Sequence, residues 1–454
     1  MEKKAGLHKA YFVFFGICLM MAGGMGLVLN VVGNFFAPIA QQAFGMDVIG
    51  VKPDGTDLLA FEPHMTEVTL IMTVYSYVMF FWLPFAGRLF GKVDGRILFG
   101  VAGIVCALST ALMGLYPNTV DNHNMLLFYA SAVGWGLAGP ILWLVGPSVL
   151  INNWFAPHKA GKMLGIASAF TGVGAFCWSP LFGYIINPVA RGGSGIGYQT
   201  GFLIEAALVV ILIVLPAIFL FRTHPKDLGL KPCGADDPQE VKDKVKVDSL
   251  GGLGPKAALA TAAFYLIFIA ACIISLGGGY KSTMPTMVAQ TFPDITAVGA
   301  LLISAAAVGN VLGKIFLGFA VDKIGIVAAL VVFVVLAMIG FICLAFSGGT
   351  EAILLVGAFG IGTSDALMSV GLPLTTRTVF GLKHYAKIYS FLNMGIAVLG
   401  GLGAVMVTTL ANNIFVSNYQ PGYLIGLGGF VIVGTCLVLA LINAKSFRKK
   451  WEDD

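Results

Sequence analysis

Ile326-Val-Ala-Ala-Leu-Val-Val-Phe-Val-Val-Leu-Ala-Met-Ile-Gly-Phe-Ile-Cys-Leu-Ala-Phe346 runs for 21 residues without a charged side chain. Wound as an α-helix it measures about 32 Å, at roughly 1.5 Å per residue. That matches the hydrocarbon thickness of a bilayer, about 30 Å. The residues just before it, Asp322-Lys-Ile-Gly325, supply an acid, a base and a helix breaker where such a segment would meet water. The apolar run is continuous rather than alternating, which excludes a strand of a membrane barrel. In lipid every backbone amide must be satisfied within the segment, and a helix does that.

Working outward, the same reading repeats along the chain. Spans are predicted at 11–37, 66–87, 97–116, 125–151, 161–187 and 200–221, then at 257–284, 297–317, 326–346, 352–376, 387–412 and 423–444. The fold class is therefore an all-α membrane protein with twelve transmembrane helices, arranged as two six-helix pseudo-repeats. Residues 1–221 form the first bundle and 257–454 the second. Between them, 222–256 reads as a linker, with Pro225, Pro232, Pro238 and the charged run Glu240-Val-Lys-Asp-Lys-Val-Lys-Val-Asp248. Composition agrees: 58% of residues are apolar and 11% charged, whereas a soluble domain needs about 25% charged residues to wet its surface.

The net charge of +5 does not indicate a nucleic-acid partner once positions are read. With the N-terminus inside, 24 of the 27 Lys and Arg fall in inner segments, and only Lys52, Arg191 and Lys281 remain. Such asymmetry follows the positive-inside rule and predicts both termini cytoplasmic. The first run, after Lys3, Lys4 and Lys9, is too long for a signal-peptide core and is expected to stay in the mature protein. Six of the seven cysteines lie in apolar runs and none has metal-ligand or disulfide spacing. All six histidines fall in loops, so a proton carried across the membrane would ride on a carboxylate. No Walker loop, hydrolytic triad or metal cluster is legible, and Gly277-Gly-Gly279 lacks the strand and the Lys of a phosphate loop. These absences point away from an enzyme and from any cofactor.

The halves repeat internally. An offset of 226 carries Gly134 to Gly360, Gly136 to Gly362, Pro147 to Pro373, His158 to His384 and Ala160 to Ala386. Nearer the front, Gly87-Arg-Leu-Phe-Gly-Lys-Val-Asp-Gly-Arg96 answers to Gly318-Phe-Ala-Val-Asp-Lys-Ile-Gly325 at an offset of about 231. Gly318-x-x-x-Asp322-Lys323-x-Gly325 resembles the loop signature of the major facilitator superfamily, and the similarity covers essentially the whole chain. Within it, Asn152-Asn-Trp-Phe-Ala-Pro-His-Lys-Ala-Gly-Lys-Met-Leu-Gly165 and Arg222-Thr-His-Pro-Lys-Asp-Leu-Gly-Leu-Lys-Pro232 resemble the oxalate/formate antiporter and monocarboxylate branch. The resemblance implies alternating access, with the substrate held between the halves near mid-depth.

On that reading the inner-loop residues Gly87, Arg88, Lys92, Asp94, Arg96, Gly318, Asp322 and Lys323 are candidate gating positions, where breakable ion pairs would hold one closed state. Ionisable groups at membrane depth are costly, about 2.5–3.5 kcal/mol each at mid-bilayer. Asp365, in Gly362-Thr-Ser-Asp-Ala366, is the leading coupling carboxylate, with Glu205 second. Lys281 reads either as a cavity cation that draws an anion inward or as a side chain reaching for the interface. Lys314 reads as an interfacial cation. Candidate substrate contacts are Asn30 and Asn34 on one stripe of the first helix, Tyr75, Trp135, Trp143, Tyr280, Lys281, Asn310, Ser369 and Asn393. Glycines such as Gly172, Gly395, Gly400, Gly401 and Gly403 mark close, sliding helix contacts.

The expected function is secondary active transport of a small organic anion, a carboxylate, across the cell membrane, coupled to protons or to a counter-anion. The partners are then the lipid bilayer and that small molecule, with the chain acting as a monomer. The alternative is proton-driven export of drug-like or amphipathic compounds, since Ser179-Pro-Leu-Phe-Gly183 partly resembles the exporters' antiporter motif.

Overall fold

The computed structural model describes residues 9–52, 57–90, 92–116, 119–121, 124–187, 193–234, 252–381, 385–416 and 418–452. The whole charged linker run, Arg191 and the repeated His384 lie outside them. Among the described residues, 11 helices are long and apolar enough to cross a membrane. In the first half these are α1 (Lys9–Phe44), α2 (Glu62–Leu89), α3 (Gly95–Leu115), α4 (Met125–Trp154), α5 (Pro157–Ile186) and α6 (Tyr198–Phe219). In the second half they are α7 (Ala262–Ser282), α8 (Val298–Ile324), α9 (Ile326–Ala345), α10 (Glu351–Phe380) and α12 (Gln420–Glu452). The remaining span, α11, is present in pieces: Tyr385–Gly400, Gly403–Thr408 and a π-helical turn Thr409–Ile414. Gly400 and Gly401 sit at the break, where no side chain shields the backbone and the helical bond pattern is interrupted.

Two buried apolar clusters form the interior. One draws on residues between Ala10 and Phe221, the other on residues between Ala258 and Ala444. Outside them, large apolar side chains such as Phe219, Leu126, Leu108 and Phe346 are more than 60% exposed, a surface suited to lipid rather than water. In lipid the helices gain no hydrophobic energy by meeting, so close contact and hydrogen bonds have to associate them. Where the two bundles meet, Gly33 of α1 lies so near α7 that a Cβ there would sit 2.1 Å from the Ser282 carbonyl oxygen, and Gly183 of α5 lies equally close to Ala300 of α8.

The repeat extends into local geometry. α4 widens into a π-helical turn at Pro140–Leu144 and α10 at Leu367–Gly371, close to the 226-residue offset. The linker obeys it too. Cys233 N–H donates to the Trp154 carbonyl (2.8 Å), and Leu253 N–H donates to the Phe380 carbonyl (3.0 Å), the position one repeat later. Each end of the linker is thus tied to the same corner of its own bundle. The two stretches that carry the branch resemblance are joined here as well. Asn153 Nδ2 donates to the Thr223 carbonyl (2.9 Å), Trp154 Nε1 donates to the Arg222 carbonyl (2.8 Å), and Gly95 N–H donates to Thr223 Oγ1 (2.7 Å).

The loop between α1 and α2 carries a feature that the apolar pattern does not predict. Strands β1 (Val48–Val51) and β2 (Asp57–Leu59) pair antiparallel. Lys52 follows β1, and its ammonium lies 2.9 Å from Glu62 Oε1 with both side chains buried. Lys52, one of the few cations outside the inner segments, is therefore neutralised by a partner.

Candidate functional site

A cavity of about 250 Å³ lies between the bundles at mid-height. Met25, Leu29 and Asn30 of α1, Met72, Tyr75 and Ser76 of α2, and Gly172 and Ala175 of α5 form one wall. The other carries Lys281 and Ser282 of α7, Ala306 and Asn310 of α8, Asp365 and Met368 of α10, and Ile396, Gly400 and Ala404 of α11. Both broken or widened helices serve it directly. The π-helical turn Gly24–Leu29 ends beside Asn30, and the turn Leu367–Gly371 begins just after Asp365. Such turns leave the regular ladder and present backbone and side chains at unusual angles.

The charged groups meet on one side. Lys281 Nζ is ion-paired and hydrogen-bonded to Asp365 Oδ2, each side chain about one-fifth exposed. Asn310 Nδ2 donates to the same oxygen at 2.5 Å. Lys314, one turn further along α8, lies within electrostatic reach of both Asp365 and Lys281. Pairing removes much of the cost of holding these groups at membrane depth. On the cavity itself Lys281 and Asp365 balance one another. The opposite wall offers Asn30, whose carboxamide has no protein partner among the described residues, and the apolar side chains of Met25, Leu29 and Met72. An anion with an apolar body suits such a chamber.

Asn30, Tyr75, Lys281, Asn310 and Asp365 are thus gathered on one cavity. Six other candidate contacts are not. Asn34 is buried and donates to the Ser179 carbonyl (3.0 Å) and Oγ (3.1 Å), one turn of α1 beyond the cavity. Trp135 is fully buried inside the first bundle, where Nε1 donates to Thr110 Oγ1 at 2.9 Å. Tyr280 points away, donating to the Gly422 carbonyl (2.7 Å) and packing edge-on against Phe341. Asn393 is exposed and bonds back to the Tyr389 carbonyl (3.1 Å) on its own helix. Ser369 is exposed because the π-helical turn between it and Asp365 rotates it off the cavity face; it donates to the Asp365 carbonyl at 2.7 Å. Trp143 stands behind the wall, with Nε1 donating to the Tyr75 hydroxyl at 3.0 Å and thereby orienting it. Glu205 is buried between α6 and α3, away from the cavity, and neither carboxyl oxygen has a hydrogen-bond partner among the described residues.

At the candidate gating positions, the described contacts are local. Asp94 Oδ1 accepts from Arg96 N–H (2.8 Å) and caps α3, while Arg88 stacks over the Phe85 ring at 5.8 Å. Lys92 and Lys323 are exposed, and Gly87 and Gly318 have open space around them. The Asp322 side chain is outside the described set. Among the described residues the ion pairs are Lys52–Glu62, His64–Glu67 and Lys281–Asp365, so no pair joins the bundles at these loops.

Lys314, read from the sequence as interfacial, lies one turn past Asn310 and close enough to Asp365 to interact with it electrostatically. Ile303, Ala307, Asn310 and Lys314 recur at spacings of four, three and four, one face of a helix, and that stripe is the signal that could have found it.

Hydrogen bonds between the bundles cluster on the side of the cavity nearer the β-hairpin. Thr69 and Thr408 share a bond (2.8 Å), Thr66 and Thr409 another (3.3 Å), and Thr73 Oγ1 donates to the Gly401 carbonyl (2.7 Å). On the other flank Ser179 Oγ donates to the Ala300 carbonyl (2.8 Å) and Ser304 Oγ to the Phe176 carbonyl (3.1 Å). The Gly401 carbonyl is available to Thr73 because α11 breaks there.

Two look-alike bundles enclosing a polar chamber are the architecture of a transporter. The family model described as Major Facilitator Superfamily matches residues 13–404. The chain belongs to the major facilitator superfamily. It is a membrane transporter rather than an enzyme, spanning the bilayer many times and handling small molecules. Monocarboxylate transporter 13 of Bos taurus is 23% identical over 388 residues, covering 84% of this chain and 82% of that one. The uncharacterized MFS-type transporter YhjX of Escherichia coli (strain K12) is 22% identical, covering 70% and 73%. Putative glycerol-3-phosphate transporter 2 of Arabidopsis thaliana is 29% identical over a shorter stretch, 44% of this chain and 34% of its own. Among solved structures, the nucleoside transporter NupG superposes with a TM-score of 0.67 at 11% identity, covering 96% of this chain and 99% of that one. At that identity the likeness concerns the fold alone.

Proposed function

We propose that this superfamily member is a secondary active transporter of a small organic anion, a monocarboxylate in particular, and that Asp365 couples the movement. The observation that carries the reading is the Lys281–Asp365–Asn310 cluster with Lys314 beside it. Asp365 occupies Lys281 as a substrate carboxylate would. An arriving anion therefore competes with it, and uptake of a proton by Asp365 frees Lys281 for the substrate. Return of the proton on the other side restores the pair and expels the anion. The same cycle without protonation amounts to exchange of one anion for another. One lining cation, Lys281, favours one carboxylate over two, and Met25, Leu29, Met72 and Met368 offer the remainder of the molecule an apolar bed.

The distribution of Lys and Arg supports a cell-membrane protein with both termini cytoplasmic. The hairpin side is then the outer side, and the threonine and serine bonds close the chamber toward it. The monomer holds the whole cavity, since both walls come from one chain. The export alternative has less behind it, because Ser179, at the start of the motif that suggested it, is engaged with Asn34 and Ala300 in that closure.

The test is uptake into proteoliposomes. Labelled monocarboxylates should accumulate when a proton gradient or an internal counter-anion is imposed, and hydrophobic cations should not move. Efflux of such cations with no carboxylate movement would overturn the proposal.

A further inference from the structure

A second cavity lies on the hairpin side, outside the seal. Its outer lobe, about 300 Å³, is bounded by the end of α1, the α5–α6 corner and the segment after α7. A narrow inner lobe of about 20 Å³ continues from it to Asn34 and Ala300, room for about one water molecule. The two lobes share Ala37, Pro38, Ile186, Asn187, Ala289 and Thr296 and so form one vestibule. Directly beneath it the Asn34–Ser179–Ala300 chain of hydrogen bonds closes the way, and Asn30, four residues earlier on α1, already faces the central chamber.

The polar groups of this vestibule are conspicuously unused. Gln41, Gln42 and Asn187 engage no protein partner with their carboxamides among the described residues. Among the described residues, the Tyr198 hydroxyl is buried without a hydrogen bond, and so is Asn34 Oδ1. Buried polar atoms are ordinarily satisfied, and two left open at one cavity, Tyr198 Oη and Asn34 Oδ1, mark a place where something polar binds, with the solvent-facing carboxamides of Gln41, Gln42 and Asn187 beside them. Most of the open groups can donate: one phenol and three carboxamides. The unpartnered acceptor, Asn34 Oδ1, faces the one-water lobe and can be served by that water. No charged side chain among the described residues lines either lobe.

We infer that this vestibule is a loading site, which holds a carboxylate through neutral donors before the seal opens and Lys281 receives it. The inference rests on the transport reading above and adds a second, weaker position for the same class of ligand. Hydrogen bonds from uncharged groups hold an anion without trapping it, whereas the Lys281 ammonium of the inner chamber, once released by Asp365, draws it onward. Asn34 and Asn30, one turn apart, stand on either side of the barrier between the two positions.

The experiment uses the full chain in lipid nanodiscs and 4-fluorobenzoate as probe, with binding read by fluorine-19 line broadening. Two classes of bound probe are expected. Lys281→Gln should remove the central class and leave the weaker one. In that background, Tyr198→Phe with Asn187→Leu should weaken the remaining class about tenfold, the size of losing a hydrogen bond to a charged group. Gln42→Leu, at an exposed rim position, should weaken it by a smaller factor without risk to folding. In the otherwise unaltered chain the Tyr198→Phe/Asn187→Leu pair should leave the central class intact. Loss of all binding on Lys281→Gln alone, residual binding indifferent to the vestibule variants, or no binding in either background would overturn the loading site. Failure of the transport reading looks different: Lys281→Gln would then leave both binding and uptake unchanged.

Discussion

Replacing Asp365 by Asn keeps shape and one hydrogen-bonding oxygen but removes the only carboxylate that the described residues bring to the central chamber. Lys281 then loses its paired carboxylate, and the cavity lining changes from balanced to one net positive charge. Breaking a fully buried pair costs about 3–5 kcal/mol, and an exposed pair contributes roughly 0–1 kcal/mol. Both partners here are about one-fifth exposed, so a loss near 2 kcal/mol of folding stability follows from interpolating between those limits. Binding should move the other way. The anion no longer displaces a resident carboxylate, and a gain of about 1.4 kcal/mol corresponds to tenfold tighter binding. The expected phenotype is a split: tighter binding of a monocarboxylate, retained counterflow, and loss of accumulation driven by a proton gradient. Proteoliposomes measured in both modes, with binding followed separately by thermal shift, report each part. Undiminished gradient-driven accumulation, or counterflow lost together with weakened binding, would refute the role assigned to Asp365.

Lys281→Gln should raise the half-saturating concentration for anionic substrates at least tenfold, measured as initial uptake; a wild-type value returns Lys281 to a lipid-interface role. Thr69→Cys with Thr408→Cys should form a disulfide across the bundles, since their hydroxyls lie 2.8 Å apart, and should block transport until a reductant is added. Gly33→Ala places a Cβ 2.1 Å from the Ser282 carbonyl oxygen, so it should bias the protein away from closure on the hairpin side, seen as faster labelling of a cysteine placed at Asn30. Lys52→Met removes the buried ammonium that pairs with Glu62 and should lower the unfolding temperature while leaving substrate affinity unchanged.

The helices, their number and the division into halves were legible because lipid imposes length and apolarity on each segment separately. Ile326–Ala345 declares itself without reference to any neighbour. The offset of 226 was equally local information, and the paired π-helical turns and linker anchors follow it. Asp365 and Lys281 stood out for the same reason: a charge in an apolar run needs an explanation wherever the rest of the chain lies.

Which way each residue faces was decided only by packing. Asn30 and Asn34 share a stripe in the sequence, yet one opens on the chamber and the other ties α1 to α5, because the bundles touch between them at Gly33 and Ser282. Trp135 and Tyr280 look like wall residues until Thr110 and the Gly422 carbonyl satisfy them elsewhere. Ser369 leaves the cavity face because α10 widens by a π-helical turn, and Lys314 joins the site because Asp365 and Lys281 arrive from two other helices. Sequence fixes what each helix must be to live in lipid; the meeting of one helix face with another, non-local by nature, sets the chemistry of the chamber.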